Sequence, residues 1–421
     1  MSVAGTSENR LLFIGSYPPP YGGIATHLNS LVPQLRQNNF EVDVITFGEK
    51  DEVLTLANGA VITRLNIKNQ SKQLIKPQHL FRSILGMLWF VSHGLGLKAA
   101  IQATITAQVA QQIIEEKHIQ VISTYHLHNA YVIPLIMKRV KIKLHCLATI
   151  FAELYSFKGR AKLRNYARTS LSACDVVMAS SQYCADGVTQ VGFDPNKVLV
   201  TYYSVDLEKF SPCNDGAKLR QRLGISQDKK MAFFLGRFVA EMGLDCILEI
   251  IPGVVKERDN LVFVLVGAKG PLNSVAEEVR QKYPDHVFVL NDISFAELPL
   301  YYAAADFLIA PSYDKRACMG LAIKEAMASA RAIIATDSGG IPEAVVQDTG
   351  IIIPLLETLK VNMHELVRAI YYLLDNPHVC VAMGKAGRAR AESLFDNRLA
   401  NQRLVGLFKK ICLGDNLHEK K

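Results

Sequence analysis

The sequence predicts an α/β protein of two doubly wound parallel sheets. Three observations carry this. The chain has 421 residues, more than one average domain holds. Apolar runs of strand length alternate with helical patterns in both halves, the βαβ signature of a parallel sheet covered on both faces. Several of these runs end in loops of glycine, proline or serine that open onto a helix. A composition of 49% hydrophobic and 20% charged residues is that of a globular chain with a substantial core.

In chain order, Leu11 to Gly15 reads as the first strand, followed by the loop SYPPPYGGIATH, a helix from His27 to Asn38 and a strand from Glu41 to Phe47. Val121 to Thr124 and Leu144 to Ile150 read as strands with a helix between them, and Asp175 to Ser180 as another. The stretch Val198 to Pro212 ends this first series. Met231 to Leu235 starts the second: helix Gly243 to Val255, then strands Leu261 to Gly267, Val287 to Leu290, Phe307 to Ala310 and Ala332 to Thr336. Helices over Met363 to Leu374 and Asp396 to Cys412 close the chain. The predicted domains are 1–205 and 206–395, with a last helical segment, 396–421. Two such sheets facing each other would form a cleft lined by strand C-termini, where ligands bind in these folds.

Eight scattered cysteines without a CxxC pair argue against a metal or disulfide framework. With no signal peptide in the polar start of the chain, they point to the cytoplasm. The net charge of +8 lies wholly in residues 1–205, which hold 20 Lys and Arg against 12 Asp and Glu. Most of it is local: Lys138, Arg139, Lys141, Lys143, Lys158, Arg160, Lys162, Arg164 and Arg168. Such a surface suits phosphates, anionic lipid headgroups or nucleic acid. No nucleic-acid motif accompanies it, which leaves a solvated face or a peripheral site at the inner face of an anionic membrane. The apolar stretch Leu80 to Ala100 is broken by Arg82, His93 and Lys98, and its uninterrupted part is too short to span a bilayer. It is expected to be a buried helix, with an interfacial membrane helix as the alternative.

The richest stretch is Pro311 to Val345, PSYDKRACMGLAIKEAMASARAIIATDSGGIPEAV. Two strand ends here each feed a glycine loop and a helix N-terminus. Gly320, Leu321 and Ala322 open one helix, which carries Glu325, and Gly340 precedes the other. Free backbone N–H groups at such ends hold phosphate, and a carboxylate accepts hydrogen bonds from a diol. Equally, these are what two ordinary strand–loop–helix units look like, with Glu325 a carboxylate favoured by the helix dipole.

This segment resembles the retaining glycosyltransferases of family 4, whose pattern runs Pro-Ser, Glu, Phe-Gly-Leu, Glu-Ala-Met-Ala and Gly-Gly-x-x-Glu. The resemblance extends over about residues 10–400. It implies the GT-B fold, two facing Rossmann-like domains with the acceptor side in the first and the last helix crossing back to it. It also implies a nucleotide diphosphate sugar as donor, a UDP-sugar such as UDP-glucose, with no metal and no other cofactor. The acceptor would be a glycan or a lipid-linked group in polysaccharide or glycolipid synthesis. By the same resemblance Gly22, Gly23, Gly236 and Arg237 face the donor diphosphate and Glu325 the ribose hydroxyls. The base is met by backbone near Asp292 and Ile293. Gly22 and Gly23 are also what a turn after three prolines would use.

Three positions depart from the family pattern. Met242 stands where a second diphosphate-binding cation, a lysine, is expected. Ala317 replaces the first Glu of the paired carboxylates. Phe151 replaces a strand-end histidine beside the sugar and the acceptor. Lys269, Lys315 and Arg316 are the candidate substitute cations, and Glu153, His126, His128 and His27 the candidates on the acceptor side. The residues expected to carry catalysis are Arg237, Glu325 and Glu153. The alternative function is a weakened, glycosyltransferase-like protein that binds nucleotide sugar or serves in assembly. An epimerase or a phosphorylase on the same fold has no supporting motif.

Overall fold

The structure is a computed structural model and describes residues 9–74, 76–156, 160–291 and 293–414. The chain divides into two compact units, Met1–Thr201 with Leu399–Lys421, and Tyr202–Arg398. The breaks thus fall within a few residues of the 205 and 395 expected from sequence.

The first unit runs β1 (Asn9–Ile14), α1 (Gly23–Gln37), β2 (Phe40–Phe47), β3 (Glu52–Thr55), β4 (Val61–Leu65), α2 (Ile67–Leu74), α3 (Pro77–Ser92), α4 (Leu97–Lys117) and β5 (Val121–Tyr125). It continues with α5 (Leu127–Ala130), α6 (Ile133–Arg139), β6 (His145–Ile150), α7 (Ala161–Ser172), β7 (Val176–Ala179), α8 (Gln182–Gln190) and β8 (Val198–Val200). The sheet order is β3-β4-β2-β1-β5-β6-β7-β8, parallel except for the edge strand β3. β1 is central and its last four residues are buried, as an apolar run in a two-faced parallel sheet must be.

The second unit runs α9 (Ala217–Leu223), β9 (Lys230–Leu235), α10 (Leu244–Glu257), β10 (Leu261–Val266), α11 (Asn273–Lys282), β11 (Val287–Leu290), α12 (Leu298–Ala304) and β12 (Phe307–Ala310). Then follow α13 (Leu321–Ala328), β13 (Ala332–Thr336), α14 (Ile341–Ala344), β14 (Gly350–Ile353), α15 (Met363–Asp375) and α16 (Pro377–Leu394). All six strands are parallel, in the order β11-β10-β9-β12-β13-β14. Successive side chains face opposite layers. Phe233, Val264 and Leu308 pack with Tyr302 and Met327 on one side. Phe234, Leu265 and Ile309 pack with the apolar faces of α10 and α15 on the other. The last helix, α17 (Asn397–Leu413), belongs to the first unit from Leu399 onward, where Phe408 meets Phe13 edge-on with ring centroids 5.6 Å apart.

One expectation is overturned here. The stretch 80–100 is not a buried helix: α3 and the start of α4 leave Phe81, Leu88 and Leu97 60% to 73% exposed. The basic cluster is shared among several elements. Lys138 and Arg139 border α3, whereas Arg164 donates to the Gln190 carbonyl and Arg168 lies beside Gly192. Lys158 falls outside the described residues.

Candidate active site

In the second unit the strand order reverses at β9, which lies between β10 and β12. Ligands of such sheets bind at the strand C-termini beside this switch point. Gly236 and Arg237 follow β9 directly. Arg237 is exposed, and among the described residues its guanidinium makes no hydrogen bond or ion pair. Its loop is tied to the loop after β10, because the Phe238 amide donates to the Ala268 carbonyl at 3.1 Å, and the exposed Lys269 comes next.

The loops after β12 and β13 are locked together. Ser338 Oγ donates to the Asp314 carbonyl at 2.9 Å and the Gly340 amide to the Ala317 carbonyl at 3.0 Å. Gly339 has a φ of 58°, and a Cβ there would stand 2.0 Å from the Ala317 oxygen, so only glycine fits. On this loop Arg316 grips Asp314, with Nε 2.9 and 3.0 Å from the two carboxylate oxygens and Nη2 2.7 Å from one. Burial works to raise the Asp314 carboxyl. The hydrogen bonds and charge of Arg316, with the charge of Arg237, outweigh it and hold the group below the usual carboxylate range. Of the three candidate substitute cations, Arg316 is therefore engaged with its own carboxylate, while Lys269 and Lys315 are exposed.

Gly320 caps α13, and Leu321 and Ala322 are its first residues. Glu325, one turn on, is 2% exposed. Its Oε2 accepts from Tyr302 Oη at 2.7 Å, so a diol would meet the remaining lone pairs of the carboxylate. Burial pushes this carboxyl up to about 7, against the Tyr302 hydrogen bond and the charge of Lys209. Tyr302 is a partner the sequence reading missed; in the apolar run YYAAADFLIA it looks like core only. Met242 ends a 3-10 turn, half-buried, with its methyl 3.0 Å from the point a Gly236 Cβ would occupy. A thioether therefore sits against the Gly236-Arg237 loop, where the family pattern has a cation. Ile293 is half-buried against the core, and Asp292 lies outside the described residues.

In the first unit the switch point lies between β1 and β5. Gly22 caps α1 with extended backbone, and nothing stands within 4 Å of a Cβ built at Gly22 or Gly23. Neither glycine is required by local conformation or packing. The loop before them is held by the buried Arg64, which donates to the carbonyls of Pro18 and Pro19 at 3.0 and 2.7 Å. Beyond β5 and β6 the candidate acceptor-side groups converge. Nδ1 of His126 lies 2.5 Å from Glu153 Oε1, and the amides of Leu127 and Phe151 donate to the two Glu153 oxygens at 3.3 and 2.8 Å. Burial would raise the Glu153 carboxyl, but His126, the Leu127 amide and the backbone amide of Glu153 itself hold it below its ordinary value. The His128 ring stacks on His126 at 5.2 Å, and burial, with the charge of His126, pushes it down to about 4. Phe151 closes the cluster 4.8 Å from the His126 ring. His27 lies to one side, with Nε2 3.3 Å from Tyr125 Oη. A cavity of about 520 Å³ adjoins the cluster, lined by Gly94, Gly96, His128, Asn129, Tyr131 and Arg160 among others.

Two doubly wound sheets with polar loops at both switch points define the class: an α/β protein that binds ligands at strand C-termini. Comparison with known proteins gives the family. Residues 215–390 match the model of the glycosyl transferases group 1, and residues 21–209 that of Glycosyltransferase Family 4. The chain belongs to these GT-B glycosyltransferases. It is 27% identical over 259 residues to an alpha-maltose-1-phosphate synthase of Mycobacterium tuberculosis, covering 58% of this chain and 65% of the relative. It is 26% identical over 212 residues to a GDP-mannose-dependent monoacylated alpha-(1-6)-phosphatidylinositol monomannoside mannosyltransferase of Corynebacterium glutamicum, covering 49% and 54%. The matches thus span about half to two thirds of these relatives. Among solved structures, sucrose-phosphate synthase from Thermosynechococcus elongatus superposes with a TM-score of 0.76 at 19% identity, covering 97% of this chain and 100% of that one. Anabaena HepE in complex with UDP superposes with a TM-score of 0.72 at 16% identity, covering 96% and 100%.

Proposed function

We propose that this glycosyltransferase moves a sugar from a UDP-sugar to a glycan or lipid-linked acceptor, with retention at the anomeric carbon and without a metal. The observation that carries the reading is Arg237: an exposed guanidinium at the switch point, on a tethered loop, with no hydrogen bond or ion pair among the described residues and only the charge of Asp314 nearby. Such a group is suited to grip a diphosphate through paired N–H donors. The amides opening α13 at Gly320, Leu321 and Ala322 add donors for charge that grows on the leaving phosphate. In this mechanism the bond between the anomeric carbon and the phosphate oxygen breaks, and the acceptor oxygen bonds to the same face of that carbon. The acceptor proton passes to the departing phosphate. Glu153 and His126 orient the acceptor hydroxyls, and Glu325 accepts from the ribose. UDP as the nucleotide is supported by the UDP complex of a structural neighbour. One relative's name specifies GDP-mannose instead.

A second reading, a weakened transferase that retains nucleotide binding, is favoured by Met242 against the Gly236-Arg237 loop. Melting curves with UDP, GDP, ADP and their sugars test both, since a ligand at one hundred times its Kd adds about 2.7 kcal/mol of stability. UDP or UDP-sugar is expected to stabilise the protein, and Arg237→Ala to remove most of that effect. If no nucleoside diphosphate stabilises the parent, the donor reading fails. Product analysis then separates the two: retained configuration at turnover supports transfer, and binding without turnover supports the weakened form.

A further inference from the structure

Helix α3 is built inside out. The side turned to the protein carries Ser83, Gly86 and Phe90, all buried. Ser83 Oγ accepts from Gln108 Nε2 at 3.1 Å, and Gly86 admits Thr104 so closely that a Cβ would meet its methyl at 3.0 Å. The side turned outward carries Leu80, Phe81, Ile84, Leu85, Leu88 and Val91, and Leu97 continues the exposed apolar surface at the start of α4. These positions recur at three- and four-residue spacing and so form one stripe. Burial in the fold would have put the leucines inside and the serine outside. Soluble surfaces rarely carry an apolar patch of this continuity without a partner.

The chemistry around the stripe selects the partner. Between Glu52 and Glu115 the sequence has no acidic residue. Over the same span Lys68, Lys72, Lys76, Arg82 and Lys98 are exposed. From neighbouring elements, Lys138 Nζ sits 3.8 Å above the Trp89 ring, Arg139 reaches the Arg82 carbonyl, and Lys162 abuts Gly94 just after α3. An apolar stripe flanked mainly by cations, with Asp51 against Gln70 of α2 and the exposed Glu115 and Glu116 on α4 as the acidic groups of neighbouring elements, matches acyl chains beneath anionic headgroups. A second copy of the same face would set cations against cations in a two-fold interface. Among the described residues no helix is long and apolar enough to cross a membrane, so the helix would lie in the interface rather than span it.

We propose that α3, with the start of α4, docks the first unit onto an anionic lipid bilayer. This deepens the transferase reading by naming a lipid-linked acceptor: Gly94, Leu95 and Gly96, directly after α3, line the cavity that also holds His128 and Arg160. The docking itself does not depend on catalysis. Trp89, the single tryptophan of the chain, is half-buried on α3 and reports contact.

The test uses full-length protein and vesicles of phosphatidylcholine, alone or mixed with phosphatidylglycerol, at low and high salt. Flotation is expected with the anionic vesicles and to weaken with salt. Lipids brominated along the acyl chain are expected to quench Trp89. Phe81→Gln with Leu88→Gln, both at exposed positions, should lower partitioning by at least about tenfold while leaving the melting temperature and UDP binding at the parent level. Absence of flotation at low salt overturns the proposal, as does a double variant that floats like the parent. So does a parent dimer that the double variant converts to monomer, because a second copy would then cover the stripe. Nucleotide binding is read without vesicles, so either reading can fail without the other.

Discussion

Replacing Glu325 by Gln tests the burial of this carboxyl through its effect on stability. The side chain is 2% exposed and accepts from Tyr302. Its ionised form is penalised by burial, which raises the group from 4.5 to about 7. Folding therefore favours the protonated acid. The stabilisation is fully present below the unfolded value near 4.5 and is lost as pH rises through the folded value near 7. A shift of about 2.5 units at 1.36 kcal/mol per unit amounts to roughly 3 kcal/mol. Glutamine is isosteric with the protonated acid, accepts the same Tyr302 hydrogen bond and does not titrate. Urea unfolding followed by circular dichroism, on parent and variant from about pH 4 to 8, reads the difference. The variant is expected to gain on the parent by roughly 3 kcal/mol between about pH 4.5 and 7, and to track it outside that window. Other titrating groups, such as His128 and Glu153, are common to both proteins and cancel. A difference that stays flat with pH, or grows toward acid, refutes the reasoning.

Two further outcomes are expected. Met242→Lys, which sets an ammonium against the Gly236-Arg237 loop, should raise transfer or donor hydrolysis at least about tenfold, since one preorganised donor is worth about 10²–10³ in rate; an efficient parent and an unimproved variant would instead point to Lys269 or Lys315 as the second cation. Gly339→Ala, with a positive φ and the Ala317 oxygen in the way, should cost at least about 1 kcal/mol in a denaturant titration, and unchanged stability would show that the β12 and β13 loops are not locked as described.

Most of the fold was legible because its strands are buried on both faces. Continuous apolar runs such as LVFVLV in β10 and AIIAT in β13 read as strands because they are short, rich in branched side chains and followed by glycine or serine. The elements that escaped lack that signal. β3 is an antiparallel edge strand with three of its four residues exposed, so no apolar alternation marks it. α16 buries mainly small residues, including Cys380, Gly384, Gly387 and Ala391, and its periodicity is faint. α3 misled for the opposite reason. Its apolar stripe is real and helical, but a period says only that one face differs from the other. Which face meets the protein was decided by Ser83 and Gly86 fitting against α4, a long-range match that local pattern does not contain.

The site was legible where a motif fixes backbone, and not where side chains from distant segments meet. Gly236, Gly320 and Gly340 stand at strand ends or helix starts, Gly320 with a positive φ that favours glycine, and Glu153 and His126 came together because β5 and β6 are neighbours. Tyr302 with Glu325, and Asp314 with Arg316 beside Arg237, are pairings that the motif spacing did not signal. They also change how the departures weigh. Met242 removes a cation from the family pattern and Ala317 removes a carboxylate, so the two absences oppose each other in charge. A site that lost only the lysine would hold a diphosphate poorly. One that also lost an anion repels it less, and the Asp314 carboxylate that remains is neutralised by Arg316. On the proposed reading, Arg237 meets a diphosphate beside an Asp314 carboxylate already held by Arg316. That balance favours binding more than it favours the chemical step, because binding needs net attraction while catalysis needs donors placed where charge grows.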